Sequence, residues 1–114
     1  MQTVDFDKMG LKAGDKILDL GCGEGRHTIT AYIHQPVQAV GVDLCLNDIN
    51  TAVERTEQFK SDDQARAIGY ANANGLSLPF ADHTFDKVVC SEVLEHIGNY
   101  VGVMAEIKRV LKPG

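Results

Sequence analysis

Asp19 stands two residues before the turn Gly21-Cys22-Gly23-Glu24-Gly25, and Asp43 follows that turn by eighteen residues. Glycines spaced G-x-G-x-G let a backbone approach a ligand closely, because they carry no Cβ and tolerate positive φ. A carboxylate ahead of such a turn repels phosphate and attracts a cation or a hydroxyl donor. The spacing differs from the dinucleotide fingerprint G-x-G-x-x-G, whose third glycine would fall on Arg26. The Walker pattern G-x-x-x-x-G-K-[ST] is absent, which disfavours ATP or GTP hydrolysis. Asp43 ends an apolar run at the place where an acidic residue accepts from ribose hydroxyls. The competing reading is that Asp43 caps the helix that follows. Together these residues suit a nucleoside with a cationic tail.

The elements that must hold these residues alternate between strand and helix patterns, which predicts an α/β fold with a parallel sheet. Strands are expected at Lys16–Leu20, Ala39–Asp43, Ala65–Ala71 and Phe85–Cys90. A helix is expected over Gly25–His34, with Ile29 and Ile33 on its apolar face, ended by Gln35-Pro36. The second, about Asn47–Lys60, offers Leu46, Ile49, Val53, Thr56 and Phe59 at helical spacing. The last, Tyr100–Leu111, offers Val103, Ile107, Val110 and Leu111 before Pro113-Gly114 stops it. In parallel sheets ligands bind beyond the carboxyl ends of the strands. The glycine turn, Asp43, Asn74 and Ser91-Glu92 all fall there, so four strand ends converge on one crevice.

The 114 residues suffice for one domain, residues 1–114. No apolar run of about 18 residues predicts a membrane span, and the N-terminus has no secretion-signal pattern, so a cytoplasmic setting is expected. Cys22, Cys45 and Cys90 lack C-x-x-C spacing and lie in or beside apolar runs. Reduced, buried, inert thiols are therefore expected. A net charge of −5 without a basic block disfavours nucleic acid as a partner. His34 and His83 read as surface residues, and His27 as a loop contact.

The chain resembles the class I S-adenosylmethionine-dependent methyltransferases, close to the type 11 group that includes the ubiquinone/menaquinone-biosynthesis C-methyltransferases. The resemblance rests on ordered blocks that run almost end to end. These are Ile17-Leu-Asp-Leu-Gly-Cys-Gly-Glu-Gly25, Val40-Gly-Val-Asp-Leu44, Asn74-Gly-Leu-Ser-Leu-Pro-Phe-Ala-Asp-His-Thr-Phe-Asp86, Val88-Val-Cys-Ser-Glu-Val-Leu-Glu-His96 and Arg109-Val-Leu-Lys-Pro-Gly114.

It implies a Rossmann-like sheet of strand order 3-2-1-4, the first part of the family's seven-stranded order 3-2-1-4-5-7-6. It implies S-adenosylmethionine as cofactor and a small molecule as methyl acceptor. Gly21, Cys22 and Gly23 would line the cofactor with backbone, and Asp19 would anchor the loop and the methionine amino group. Asp43 would hold the ribose, and Leu44 would pack on adenine. Asn74, where many members carry Asp, would accept from the adenine amino group, with Gly75 beside it and Ser91 at the cofactor's amino group.

Glu95 and His96 are the candidates for a general base. Glu92, Glu95 and His96 also resemble the divalent-metal site of some O-methyltransferases, but a further histidine ligand is not evident, and a metal-free site is expected. The [DN]-P-P-[YF] signature of amino-methylating nucleic-acid enzymes is missing after the fourth strand, where Ser91-Glu92-Val93-Leu94 stands. Relatives continue beyond the last helix with further strands. The fourth strand of this chain would therefore be an edge, a template for self-association or for a covering partner.

Overall fold

The computed structural model describes residues 6–90 and 100–113. Among the described residues the elements run β1 (Lys16–Leu20), α1 (Arg26–His34), β2 (Gln38–Asp43), α2 (Leu46–Glu57), β3 (Ala67–Asn72), β4 (Lys87–Cys90) and α3 (Tyr100–Val110). The four strands form one parallel sheet in the order β3-β2-β1-β4, the order that the family resemblance implies. β1 lies between β2 and β4, with Asp19 opposite Gly41 on one side and Val89 on the other.

Side chains of a strand alternate between faces. Ile17 accordingly joins Ala31, Tyr32, Val37, Ala39 and Val89 in one core layer, with Phe6 and Leu11. Leu18 and Leu20 join Val42, Leu78, Phe85, Val103, Ile107 and Val110 in the other. β1 is covered on both faces, which is why its sequence is almost continuously apolar. Asp19 is the exception, and it is buried as deeply as its neighbours.

Four expected helix and strand features differ. On α1 the buried residues are Thr28, Ile29, Ala31 and Tyr32, while Ile33 is exposed. At about 100° per residue Ile33 falls well round the helix from the Thr28–Tyr32 seam that meets the sheet. On α2 the seam is Ile49, Ala52 and Thr56. Leu46 and Val53 lie to one side of it, Phe59 lies past the helix end, and all three are exposed. β3 begins at Ala67 because Asp63 folds the preceding residues into a turn, accepting from Ala65 N and Arg66 Nε. β4 begins at Lys87, after an isolated bridge between Phe85 and Leu111.

Two arginines staple helix ends and loops. Arg66 Nη1 donates to the carbonyls of Tyr32, Ile33 and Gln35 at 2.6–3.0 Å, which satisfies acceptors left open at the end of α1. Arg109 on α3 pairs with Glu106 and donates to the carbonyls of Phe80 and Leu78, while Glu106 accepts from Leu78 N. This clamp fixes the segment that follows Asn74 and Gly75 against α3. It also holds Glu106 below the usual carboxylate range, chiefly through the Arg109 hydrogen bond.

Candidate cofactor site at the strand carboxyl ends

The turn after β1 is tied to the end of β2. Gly21 N and Cys22 N both donate to Val42 O, at 2.8 and 2.9 Å, and Gly23 N donates to Asp43 Oδ2 at 2.9 Å. Gly21, Gly23 and Gly25 all have positive φ. At Gly25 the restriction is double. Its φ is +87°, and a Cβ there would stand 2.7 Å from Tyr70 Oη and 2.9 Å from Ala52 Cβ. Gly41, opposite Asp19, is required by close approach alone, since a Cβ would come 2.7 Å from the Tyr70 ring and 2.8 Å from Thr28 Oγ1. Tyr70 therefore fills the space under the turn, held by a 2.7 Å hydrogen bond between its hydroxyl and Thr56.

Asp43 is half-buried and already accepts two backbone bonds, from Gly23 N and from Cys45 N at 2.8 Å. An ionised carboxylate offers about four lone-pair directions, so two remain for a ligand. The capping role weighed against ribose binding is thus present in part: Cys45 is the N-cap residue of α2. Leu44 projects from the same loop at 62% exposure. Asn72 braces this loop by donating to the carbonyls of Asp43 and Leu44 at 3.0 and 2.9 Å. Asn74 is exposed, and its Oδ1 accepts from Leu76 N at 2.9 Å. Gly75 is buried beside Leu20 and Val103.

Asp19 is only 3% exposed. Its Oδ2 accepts from Thr28 Oγ1 at 2.7 Å, and its Oδ1 has no hydrogen-bond partner in the structure. Burial pushes its carboxyl above the ordinary range, opposed by the Thr28 hydrogen bond and the nearby His27. A buried, unpaired carboxylate oxygen is expensive, and a cationic ligand group would remove that penalty.

The structure therefore ties Gly21, Cys22, Gly23, Asp43 and Leu44 together by hydrogen bonds through Val42 and Asn72, with Asp19 at the end of β1 and Asn74 and Gly75 after β3. Ser91, Glu92, Glu95 and His96 lie outside the described residues. Thr28, Tyr70 and Asn72 are structural supports that pattern reading missed. An isolated glycine inside a strand marks close approach of another group, so Gly41 was the available signal for Tyr70 and Thr28.

The family comparison decides what kind of domain this is: the type 11 methyltransferase domain matches residues 18–114. This chain belongs to that family. The methyltransferase domain is 32% identical to a demethylmenaquinone methyltransferase of Bacillus cereus over 108 residues, covering 93% of this chain and 44% of that protein. It is 33% identical to the 27-O-demethylrifamycin SV methyltransferase of Amycolatopsis mediterranei, covering 91% of this chain and 37% of the other. Haemonchus contortus phosphoethanolamine N-methyltransferase 2, solved with phosphomonomethylethanolamine and S-adenosylhomocysteine, superimposes with a TM-score of 0.85 at 32% identity. That match covers 96% of this chain and 25% of the other. The methyltransferase domain thus spans less than half the length of these relatives. Among its described residues no helix is long and apolar enough to cross a membrane.

One expectation about the cysteines is corrected. Cys22 is buried, but Cys90 is half-buried and Cys45 is exposed, because it sits in the loop between β2 and α2 rather than in a strand. Burial, reinforced by Asp19 and Asp43, pushes the Cys22 thiol up to about 12. Iodoacetamide at neutral pH is therefore expected to modify Cys45 first and to spare Cys22 until the domain unfolds. Peptide mass mapping of a time course checks this order.

Proposed function

We propose that this chain binds S-adenosylmethionine and forms the cofactor half of a methyltransferase acting on a small molecule. The observation that carries the reading is Asp19, a buried carboxylate with one oxygen left unpaired beside a glycine turn. The residues present fit the cofactor. Asp19 would take its amino group, the backbone of Gly21, Cys22 and Gly23 would line its tail, and the open lone pairs of Asp43 would take the ribose hydroxyls. The exposed side chain of Leu44 offers an apolar surface for adenine, Asn74 and Gly75 would take the adenine edge, and the family resemblance assigns Ser91 to the amino group.

When bound, the cofactor supplies a methyl carbon already activated by its sulfonium. What the protein must then do is align an acceptor and exclude water. A base is needed only where the acceptor loses a proton, and Glu95 and His96 are the residues we assign to that task. The small-molecule acceptor is supported by the activities for which the relatives are named, and the acidic net charge speaks against nucleic acid. A cytoplasmic setting is supported by Cys22, Cys45 and Cys90, which form no disulfide.

A second reading is favoured by the span of the match: the chain binds the cofactor but does not turn over alone. It shares 37% and 44% of the length of two relatives. Calorimetry with S-adenosylhomocysteine, followed by a methyl-release assay on an acceptor panel, separates the two. Within the binding reading, Asp43→Ala is expected to weaken affinity by about 1–3 kcal/mol, the cost of an unpaired polar partner. Unchanged affinity in a folded variant removes the ribose assignment. β4 is the outer described strand beside β1; self-association through its edge would show in sedimentation velocity as a concentration-dependent dimer.

A further inference from the structure

Thr28 is the third residue of α1 and is 1% exposed. Its hydroxyl reaches Asp19 Oδ2 at 2.7 Å. An ionised carboxylate only accepts, so the single hydroxyl proton of Thr28 is committed to Asp19. The contact is built into the fold from three sides. Asp19 comes from β1, Thr28 comes from α1, and Gly41 on β2 leaves the room, since any Cβ there would lie 2.8 Å from the Thr28 oxygen. Gly25, the N-cap residue of α1, makes no side-chain capping bond. The first turn of α1 therefore meets a carboxylate brought from β1, and its positive end favours the charged form.

We propose that Thr28 is a positioning residue for the cofactor's cationic group: its hydroxyl holds the Asp19 carboxyl in one orientation, so that Oδ1 stays free for the ammonium. This rests on the cofactor reading above. The remaining titratable groups around Asp19 divide. His27 on α1 favours the charged form and Asp43 on β2 opposes it. Burial raises both the Cys22 thiol in the turn and the Tyr70 hydroxyl on β3, the Asp19 charge adds to this, and both stay neutral near pH 7. From β4 the paired residue is the apolar Val89. Among these, Thr28 is the group hydrogen-bonded to Asp19 through its side chain, and removing its hydroxyl leaves both carboxylate oxygens without a side-chain donor.

The test compares the wild-type chain with Thr28→Val, Thr28→Ala and Thr28→Ser by calorimetry from pH 5 to 8, with folding checked by circular dichroism. Two probes are used: S-adenosylhomocysteine, and 5′-methylthioadenosine, which lacks the amino-acid tail. Thr28→Val and Thr28→Ala are expected to weaken S-adenosylhomocysteine about tenfold at pH 7. They should also move the acidic limb of its binding profile up by about one pH unit. Thr28→Ser should restore both, and 5′-methylthioadenosine should bind all four alike. Equal binding of S-adenosylhomocysteine to wild type and the Val and Ala variants overturns the proposal. So does a parallel loss for both probes, which marks a purely structural role. Failure of the folded wild type to bind S-adenosylhomocysteine overturns the cofactor reading itself. Thr28→Ala asks for no extra room and serves if the valine does not fold.

Discussion

Asp19→Asn is expected to lower affinity for S-adenosylhomocysteine roughly ten- to a hundredfold without lowering the Tm of the free domain. The loss follows from removing a charged hydrogen-bond acceptor, worth about 1.5–3 kcal/mol. The stability side follows from burial. The folded-state value of Asp19 lies above its ordinary 3.8, with desolvation as the first cause. Between those two values the folded chain binds more protons than the unfolded one, so stability falls as pH rises through that window. Above the raised value the penalty is fully present. Asparagine carries no charge to desolvate, and its side-chain oxygen still accepts from Thr28. The variant should thus gain stability relative to wild type at neutral pH, and the gain should shrink as pH falls toward 3.8. A clear fall in Tm at neutral pH would show instead that the Asp19 charge holds the fold together, and the site would lose its rationale.

Gly25→Ala is expected to destabilise the domain by about 2–5 kcal/mol and to abolish cofactor binding in parallel. One part is backbone: φ at Gly25 is +87°, and a left-handed non-glycine residue costs about 1–2 kcal/mol. The other is space: the new methyl group would meet Tyr70 Oη at 2.7 Å and Ala52 Cβ at 2.9 Å. Overpacking of this kind costs about 1–3 kcal/mol. Gly14→Ala provides the control, because Gly14 has a φ of +90° with nothing within 4 Å. It should lose only the backbone part. Denaturant titration reads both, and equal losses in the two variants would remove the packing argument. A loss of this size matters because domain stabilities total only about 5–15 kcal/mol.

These two residues also show what could be read from the chain before folding. Asp19, Asp43 and the glycine turn declared themselves because their chemistry is local: a carboxylate, a strand and a turn within a few residues. The parallel sheet followed from the alternation of strand and helix, and its strand order from the family resemblance. The supports were harder. Thr28 looks like an ordinary helix residue until β1 brings Asp19 beside it, and Tyr70 matters only because β3 lies next to β2. Arg66 and Arg109 close loops from about thirty residues away, a separation at which no local pattern exists. Leu46 and Val53 misled for a related reason: apolar spacing reveals an amphipathic helix, while the depth at which it docks is set by Ala52 and Thr56 against Tyr70 and Gly25. Ile33 erred the same way on α1.

On this reading the strand ends around the glycine turn form the cofactor site. Its most direct test is amide NMR of the labelled chain during titration with S-adenosylhomocysteine. Saturable shifts are expected at Gly21–Gly25, Asp43–Cys45 and Asn74–Leu76, all with one dissociation constant, with no comparable shifts along Met104–Val110 of α3. A folded chain that shows no shifts at the glycine turn, or shifts concentrated on α3, would contradict it.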